Sequence, residues 1–328
     1  MLPIQRILVI GPSNIGDAIL TSDVIAQVHR AWPEAHLTLV VGDRAMSLME
    51  DDPRIHTLVN TGNYDSLLGR WRLALALWRY QPHLVVDLRH TLYPLLLKPL
   101  SFWRYLHQPP ARLTHMRDRH LWKLKAQVPT CPATDRLTHD GALWISPKDF
   151  AHVEALWKRW QLSPTQRIVM ICPGARSHNK RWGADGFAHV ADRLISEAHA
   201  QIIFSGEPEE ESIVEEIRDM MHQRAYSAVG LTTIRQVGAL MQRAALVITN
   251  DSASLHLASV LNVPTLAIFG PTDERKYGPT ATHSRTIRRR LFCAPCEQSL
   301  CRFSHECMRF ITADEVFKAA VELLRPET

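Results

Sequence analysis

Apolar residues fall along this chain in short unbroken runs, separated by turns and by longer stretches with helical spacing. The first run is Arg6–Ile10 (RILVI). Leu37–Val41 (LTLVV), His56–Val59 and Leu84–Leu88 (LVVDL) follow. Runs without polar alternation fit strands covered on both faces, as parallel sheets require. Between them, the segments from about Ala18 to Trp32 and around Tyr64 to Tyr80 read as helices. Strand–helix–strand repetition at this pace predicts a right-handed, parallel, doubly wound sheet. Pro94, Pro99, Pro109 and Pro110 then break Leu92–Lys125 into short helices and loops.

Thr130–Pro147 is rich in turn formers, and Phe150–Trp160 carries Val153, Leu156, Trp157 and Trp160 at helical spacing. Gln161–Leu162–Ser163–Pro164 reads as a linker, which divides the chain into domains 1–163 and 164–328. The pattern then starts again. Arg167–Cys172 (RIVMIC) is a buried strand leading into a polar glycine turn, Pro173–Gly174–Ala175–Arg176. Helices are expected at Asp185–Ala198, around Ser212–Met221 and at Thr233–Arg243, with a strand at Gln201–Ser205 (QIIFS). Ala245–Thr249 and Thr265–Phe269 are further strands. The helix between them is marked by His256, Leu257, Val260 and Leu261 and stopped at Asn262–Val263–Pro264. Thr312–Ala313–Asp314–Glu315 is a capping-box pattern ahead of a last helix, Val316–Leu324. Two similar α/β halves predict two Rossmann-like domains facing each other across a cleft.

Candidate chemistry sits in the turns. Asn250–Asp251–Ser252 and Gly270–Pro271–Thr272 fall at the carboxyl ends of adjacent strands, where open α/β sheets bind ligands. The first opens a helix whose free N–H groups and dipole favour an anion. Asp251 and Ser252 are also good cap residues, so a simple cap is the alternative. Two polar turns side by side favour a phosphate-bearing ligand. At the N-terminus, Gly11–Pro12–Ser13–Asn14–Ile15–Gly16–Asp17 has G-x-x-x-x-G spacing without a following Lys-Ser/Thr. That excludes a P-loop, and it is not the G-x-G-x-x-G of a dinucleotide site. Asp17 is then either a helix cap or a carboxylate held in a cleft. Asp87–Leu88–Arg89–His90 puts charged groups at another strand end. Taken singly, Lys180 in N-K-R-W-G reads as an exposed lysine. Glu210 reads as an acidic complement to a helix dipole, and His256 as a packed helix histidine.

Composition narrows the partners. With 328 residues, 46% of them hydrophobic, the chain can bury the cores of two domains. A net charge of +5 and a pI near 9.0 suggest an anionic ligand or surface. One basic cluster is Arg112, His115, Arg117, Arg119, His120, Lys123 and Lys125. A second is Arg285, Arg288, Arg289 and Arg290. Neither has the interleaved aromatics or fold signature of a nucleic-acid module, and each alone reads as a solvated basic face. No apolar run approaches the roughly 18 residues of a spanning helix. The N-terminus enters a strand without signal-peptide regions, so a cytoplasmic location is expected. Six cysteines in a chain of this length do not make a disulfide framework. Cys293, Cys296, Cys301 and Cys307 could supply four thiolates to a zinc ion, although their C-x2-C-x4-C-x5-C spacing is not that of a zinc ribbon. Cys131 and Cys172 read as small buried residues.

The sequence D-S-A-S-L-H-L-A followed by F-G-P-T-D resembles the signature of glycosyltransferase family 9, the bacterial heptosyltransferases of lipopolysaccharide core assembly. That family usually has Asp-Thr-Gly where this chain has Asp251–Ser252–Ala253. The serine keeps the hydroxyl and the alanine adds a methyl. The resemblance implies a GT-B architecture. Domain 1–163 would bind the acceptor and 164–328 the nucleotide-sugar donor, with the C-terminal helix packing back on the first domain. It implies inverting, metal-independent transfer of heptose from ADP-heptose to an inner-core acceptor, with no cofactor. Gly16–Asp17 resembles the family's Gly-Asp, whose aspartate is the catalytic base. On the donor side, Lys180 would meet phosphate and Glu210 the ribose. Asp251, Ser252, Ala253, His256 and Thr272 would complete the diphosphate site. Gly16, Arg89, His90, Arg117 and Arg119 would face the acceptor, a phosphorylated, lipid-anchored sugar beside an anionic membrane. A monomer that does not bind nucleic acid is expected, with peripheral contact at the inner face of the cytoplasmic membrane. The alternatives are another nucleotide-activated sugar, a nucleotide-sugar epimerase and, against the glycine spacing, a dinucleotide-dependent oxidoreductase.

Overall fold

The computed structural model describes residues 3–132, 142–298 and 300–325. The chain forms two compact units, Met1–Trp144 and Ile145–Thr328. The turn-rich stretch expected over 130–147 lies partly outside the described residues.

In the first unit the apolar runs become β1 (Arg6–Ile10), β2 (His36–Val41), β3 (Thr57–Asn60) and β4 (Leu84–Asp87). All pair in parallel, in the order β3-β2-β1-β4. Leu73 and Leu77 of the helix Leu67–Tyr80 pack with Leu8, Ile10, Val40 and Val85 in the core. The helix Ile15–Ala31, which links β1 to β2, buries Ile19, Val24 and Ile25.

The second unit contains β5 (Ile168–Cys172), β6 (Gln201–Phe204), β7 (Tyr226–Ser227), β8 (Leu246–Asn250), β9 (Thr265–Phe269) and β10 (Ser284–Arg288). They also pair in parallel, in the order β10-β9-β8-β5-β6-β7. In both sheets the chain winds outward on one side of its first strand, then crosses to the other side. The loops leaving β1 and β4, and those leaving β5 and β8, therefore diverge at a switch point. Open sheets of this order leave a crevice there.

The observed division falls ahead of the helix Pro147–Trp160, whereas the linker signal put it after that helix, at 163/164. The helix is amphipathic, and its partners lie in the second unit. Val153 and Leu156 are buried, Arg243 pairs with Glu154 at 2.7 Å, and the His152 ring meets the Leu231 carbonyl at 2.8 Å. The C-terminal helix Ala313–Leu324 starts at the expected Thr312–Glu315 capping box. Its apolar face, with Val316, Phe317 and Ala320, joins the second unit's own core.

Neither basic cluster is a simple solvated face. The helix Met116–Gln127 buries Arg117, His120 and Lys123. Half of the second cluster lies in β10, where Arg285 pairs with Glu322, and Arg288 with Glu274 at 2.8 Å. Among the described residues no helix is long and apolar enough to cross a membrane.

Candidate functional site

The second unit's switch point is built around Asn250, the last residue of β8, which is fully buried. Its carboxamide nitrogen donates to the Pro173 carbonyl at 2.6 Å, and its oxygen accepts the Trp182 N–H at 3.2 Å. One side chain thus ties the loop after β5 and the turn bearing Lys180 to β8. The next residue, Asp251, is 5% exposed, and its carboxylate sits 2.7 Å from Lys180 Nζ. A carboxylate so buried needs a cationic partner. The lysine side chain stays 32% exposed, so its ammonium can still meet a ligand. Ser252 then opens the helix Ala253–Val260. Its backbone is extended, its hydroxyl lies 3.3 Å from Thr249 Oγ1, and it caps no helix amide. The helix has no acidic residue in its first turn. Uncapped amides and a positive dipole end, beside an ammonium, make a setting for an anion.

Glu210 closes the turn Pro208–Glu210 after β6, where it accepts the Glu207 N–H at 2.9 Å. Its carboxyl lies over the turn after β5. A Cβ at Gly174 would stand 1.9 Å from Glu210 Oε1, and one at Gly206 2.7 Å from Oε2. Only glycine at these two positions admits the carboxyl there. Burial raises the Glu210 pKa, with the Glu207 N–H and the charge of Arg181 opposing it. Arg181 is itself held by the Ala175 carbonyl at 2.8 Å.

Lys180, Asp251, Ser252 and Ala253 are therefore brought together, with Glu210 beside the neighbouring turn. His256 is buried one turn into the same helix, its ring 6.2 Å from that of Tyr277. Thr272 is buried beyond the end of β9. Asp273 beside it caps a short helix and is kept below the usual carboxylate range by Arg275. The cysteine-rich loop docks here, since the Pro271 carbonyl accepts the N–H groups of Cys296 at 3.0 Å and Glu297 at 2.9 Å. All four cysteines are free thiols, and burial pushes the Cys307 thiol up. Among the described residues no group of three or more His, Cys, Asp or Glu side chains is placed to hold a metal.

In the first unit, Gly16 and Asp17 fall in the first turn of the helix Ile15–Ala31. Asp17 is half-buried and is the third residue of that helix rather than its cap. The adjacent strand end carries Arg89 and His90, both exposed. This loop is held firmly. The Asp87 carboxylate accepts the N–H groups of Arg89 and Thr91 at 2.9 and 2.6 Å. Gln127 exchanges two hydrogen bonds of 2.8 Å with the Asp87 backbone, and Lys123 Nζ donates to the Leu88 carbonyl at 2.7 Å. Burial lowers Lys123 to about 8 and His120 to about 4. Partial desolvation also lowers His90, and the charges of Lys123 and Arg119 add to that effect. Arg117 lies elsewhere. It is buried and paired with Asp23, joining two helices, so the acceptor role expected of it is replaced by a structural one. Arg119 is half-buried and donates to the Leu113 carbonyl at 3.2 Å. Sequence reasoning missed the anchoring roles of Asn250, Lys123 and Gln127. A polar residue ending an apolar run was the only signal for the first, and Gln127 gave none.

The two parallel sheets, each with a polar switch point, define a GT-B architecture. Residues 146–306 match the model of glycosyltransferase family 9 (heptosyltransferase). Over 166 residues it is 32% identical to lipooligosaccharide heptosyltransferase 2 of Campylobacter jejuni, covering 49% of this chain and 52% of that protein. The chain thus spans about half the length of the Campylobacter relatives it matches. It is 25% identical over 308 residues to lipooligosaccharide heptosyltransferase 2 of Haemophilus influenzae, covering 87% and 88%. The structure of Escherichia coli ADP-heptose LPS heptosyltransferase II matches with a TM-score of 0.75 at 20% identity, covering 98% of each chain. That likeness carries the fold across nearly the whole chain.

Proposed function

We propose that this chain is an inverting heptosyltransferase. It would move heptose from ADP-heptose to a phosphorylated, lipid-anchored sugar of the lipopolysaccharide inner core. The observation that carries the reading is the Lys180–Asp251 pair beside the uncapped helix start at Ser252. A sugar leaving a nucleoside diphosphate builds negative charge on phosphate oxygens, and preorganised donors around that charge lower the barrier. Lys180, the Ser252 hydroxyl and the amides from Ala253 onward are such donors. Asp251 orients the ammonium, Glu210 takes the donor ribose, and His256 and Thr272 border the diphosphate.

The acceptor hydroxyl attacks the anomeric carbon opposite the diphosphate. A new C–O bond forms as the bond to the phosphate oxygen breaks, and ADP leaves. The hydroxyl proton passes to Asp17, the general base. Arg89, His90 and Arg119 serve the acceptor's phosphates. The first unit is thereby the acceptor side and the second the donor side. A monomer working at the inner face of the cytoplasmic membrane fits this acceptor.

The test is a panel of nucleotide sugars scored by thermal stabilisation, since a ligand of the folded state raises apparent stability. ADP-heptose and ADP are expected to raise Tm. A response to UDP-sugars alone would refute the donor, and donor turnover without an acceptor would point to an epimerase.

A further inference from the structure

The helix Leu67–Tyr80 carries two apolar stripes. Leu73 and Leu77 enter the core of the first unit. Leu67, Leu68, Trp71, Leu75 and Trp78 recur at helical spacing on another side and face solvent, Leu67 at 79% exposure and Trp71 at 74%. A core explains the first stripe and not the second. The outward surface continues beyond β4 on Tyr93–Leu97, which packs against this helix, and on Pro99–Leu106, which packs against Tyr93–Leu97. There Leu92, Leu95, Leu100 and Trp103 are exposed, Leu100 at 97%. Contiguous exposed apolar surface of this kind marks an interaction site.

Charge selects the partner. From Ser66 to His107 the only carboxylate is Asp87, which is buried. Over the same span Arg70, Arg72, Arg79, Lys98 and Arg104 stand among the leucines and tryptophans. Arg104 lies over the Trp103 ring, 5.4 Å from its centroid. Tryptophan and leucine on one face, with arginine and lysine at the margin, is the makeup of helices lying in a bilayer interface. A surface that is cationic without compensation suits anionic headgroups, which draw in each basic side chain near them.

The geometry points to the face formed by Leu67–Tyr80 and Leu92–Leu106 as the surface by which this protein docks on an anionic lipid bilayer. The inference rests on the proposed function only in that a lipid-anchored acceptor gives the docking a purpose. It also moves membrane contact away from the Arg112–Lys125 run, where three of the basic side chains are buried. The helix Tyr93–Leu97 also packs against β4, so the docking face adjoins the β4 loop assigned to the acceptor.

The test is co-sedimentation of the full chain with vesicles of phosphatidylcholine alone or enriched in phosphatidylglycerol. The chain is expected to pellet with the anionic vesicles, less so in high salt, with a blue shift of tryptophan emission. Trp71→Ser with Trp78→Ser should lower the partition coefficient about tenfold or more. Arg72→Gln with Arg79→Gln should remove the preference for anionic lipid. These side chains are exposed, so Tm and stabilisation by ADP-heptose should not change in either variant. Absence of binding, or equal binding to neutral and anionic vesicles, would overturn the inference. So would a dimer that the tryptophan variant dissolves, because the face would then pair two copies. Failure of the unaltered chain to bind either kind of vesicle, with ADP-heptose stabilisation intact, would sink the docking face alone. Vesicle binding without any response to ADP-heptose would sink the proposed donor alone.

Discussion

The two sheets share a course beside their first strands, yet the helices that open at their switch points differ in charge. The helix after β1 carries Asp17 in its first turn. The helix after β8 has no acid in its first turn, and the carboxylate just before it is matched by Lys180. A helix start that holds its own carboxylate is already complemented, while one that lacks it remains open to an anion. On the proposed reading, the same architecture offers a base in one unit and a diphosphate cradle in the other. Fold does not choose between them, and a few side chains at helix starts do.

Removing Asp17 gives the sharpest test of this contrast. Asp17→Asn is expected to lower heptosyl transfer about 10²–10⁴-fold, the usual worth of a general base. Thermal stabilisation by ADP-heptose should be unchanged. Parallel loss of binding and turnover would erase the division of labour between the units.

Lys180→Ala attacks the other side. Loss of a charged hydrogen-bond donor costs about 1.5–3 kcal/mol, so ADP affinity should fall roughly 10- to 100-fold in a calorimetric titration. Asp251, 5% exposed, would lose its partner, and urea unfolding should show a loss of about 1–3 kcal/mol. Adding Asp251→Asn should restore stability without restoring affinity. Recovery of both would mean that the pair serves only the fold.

Glu210 gives the smallest effect and a pH signature. Its pKa is raised, first by burial, so folding disfavours the charged carboxylate. The penalty is absent below the unfolded value of about 4.3 and grows as pH rises through the folded value. Glu210→Gln should therefore raise Tm slightly at neutral pH, with the gain fading toward about pH 4. It should also weaken nucleotide binding. A gain that does not vary with pH would show that the buried charge is not its source.

Much of the fold was legible because parallel strands covered on both faces are unbroken apolar runs. Arg6–Ile10 and Thr265–Phe269 appear with the expected bounds. What escaped were elements that their own residues do not announce. β10 (SRTIR) carries two arginines in five residues, and its place comes from pairing with β9 rather than from its own hydropathy. The helix Met116–Gln127 buries cations because Asp23 and the Leu88 carbonyl await them, and such partners are far away in sequence. For the same reason Arg117 looked like a binding residue. The turn at Asn250–Asp251–Ser252 was readable from local chemistry, since cap residues and strand ends are local features. Its link to Lys180, and the fit of Glu210 over Gly174, are tertiary facts that spacing does not encode.

The outermost strand β10 has one further consequence. Sheet margins leave backbone groups free to recruit any extended segment that drifts past, which is how ordered aggregates begin. Here a recruited segment would have to accommodate Arg285 and Arg288, already engaged by Glu322 and Glu274. Two paired arginines thus guard this border against further strand addition.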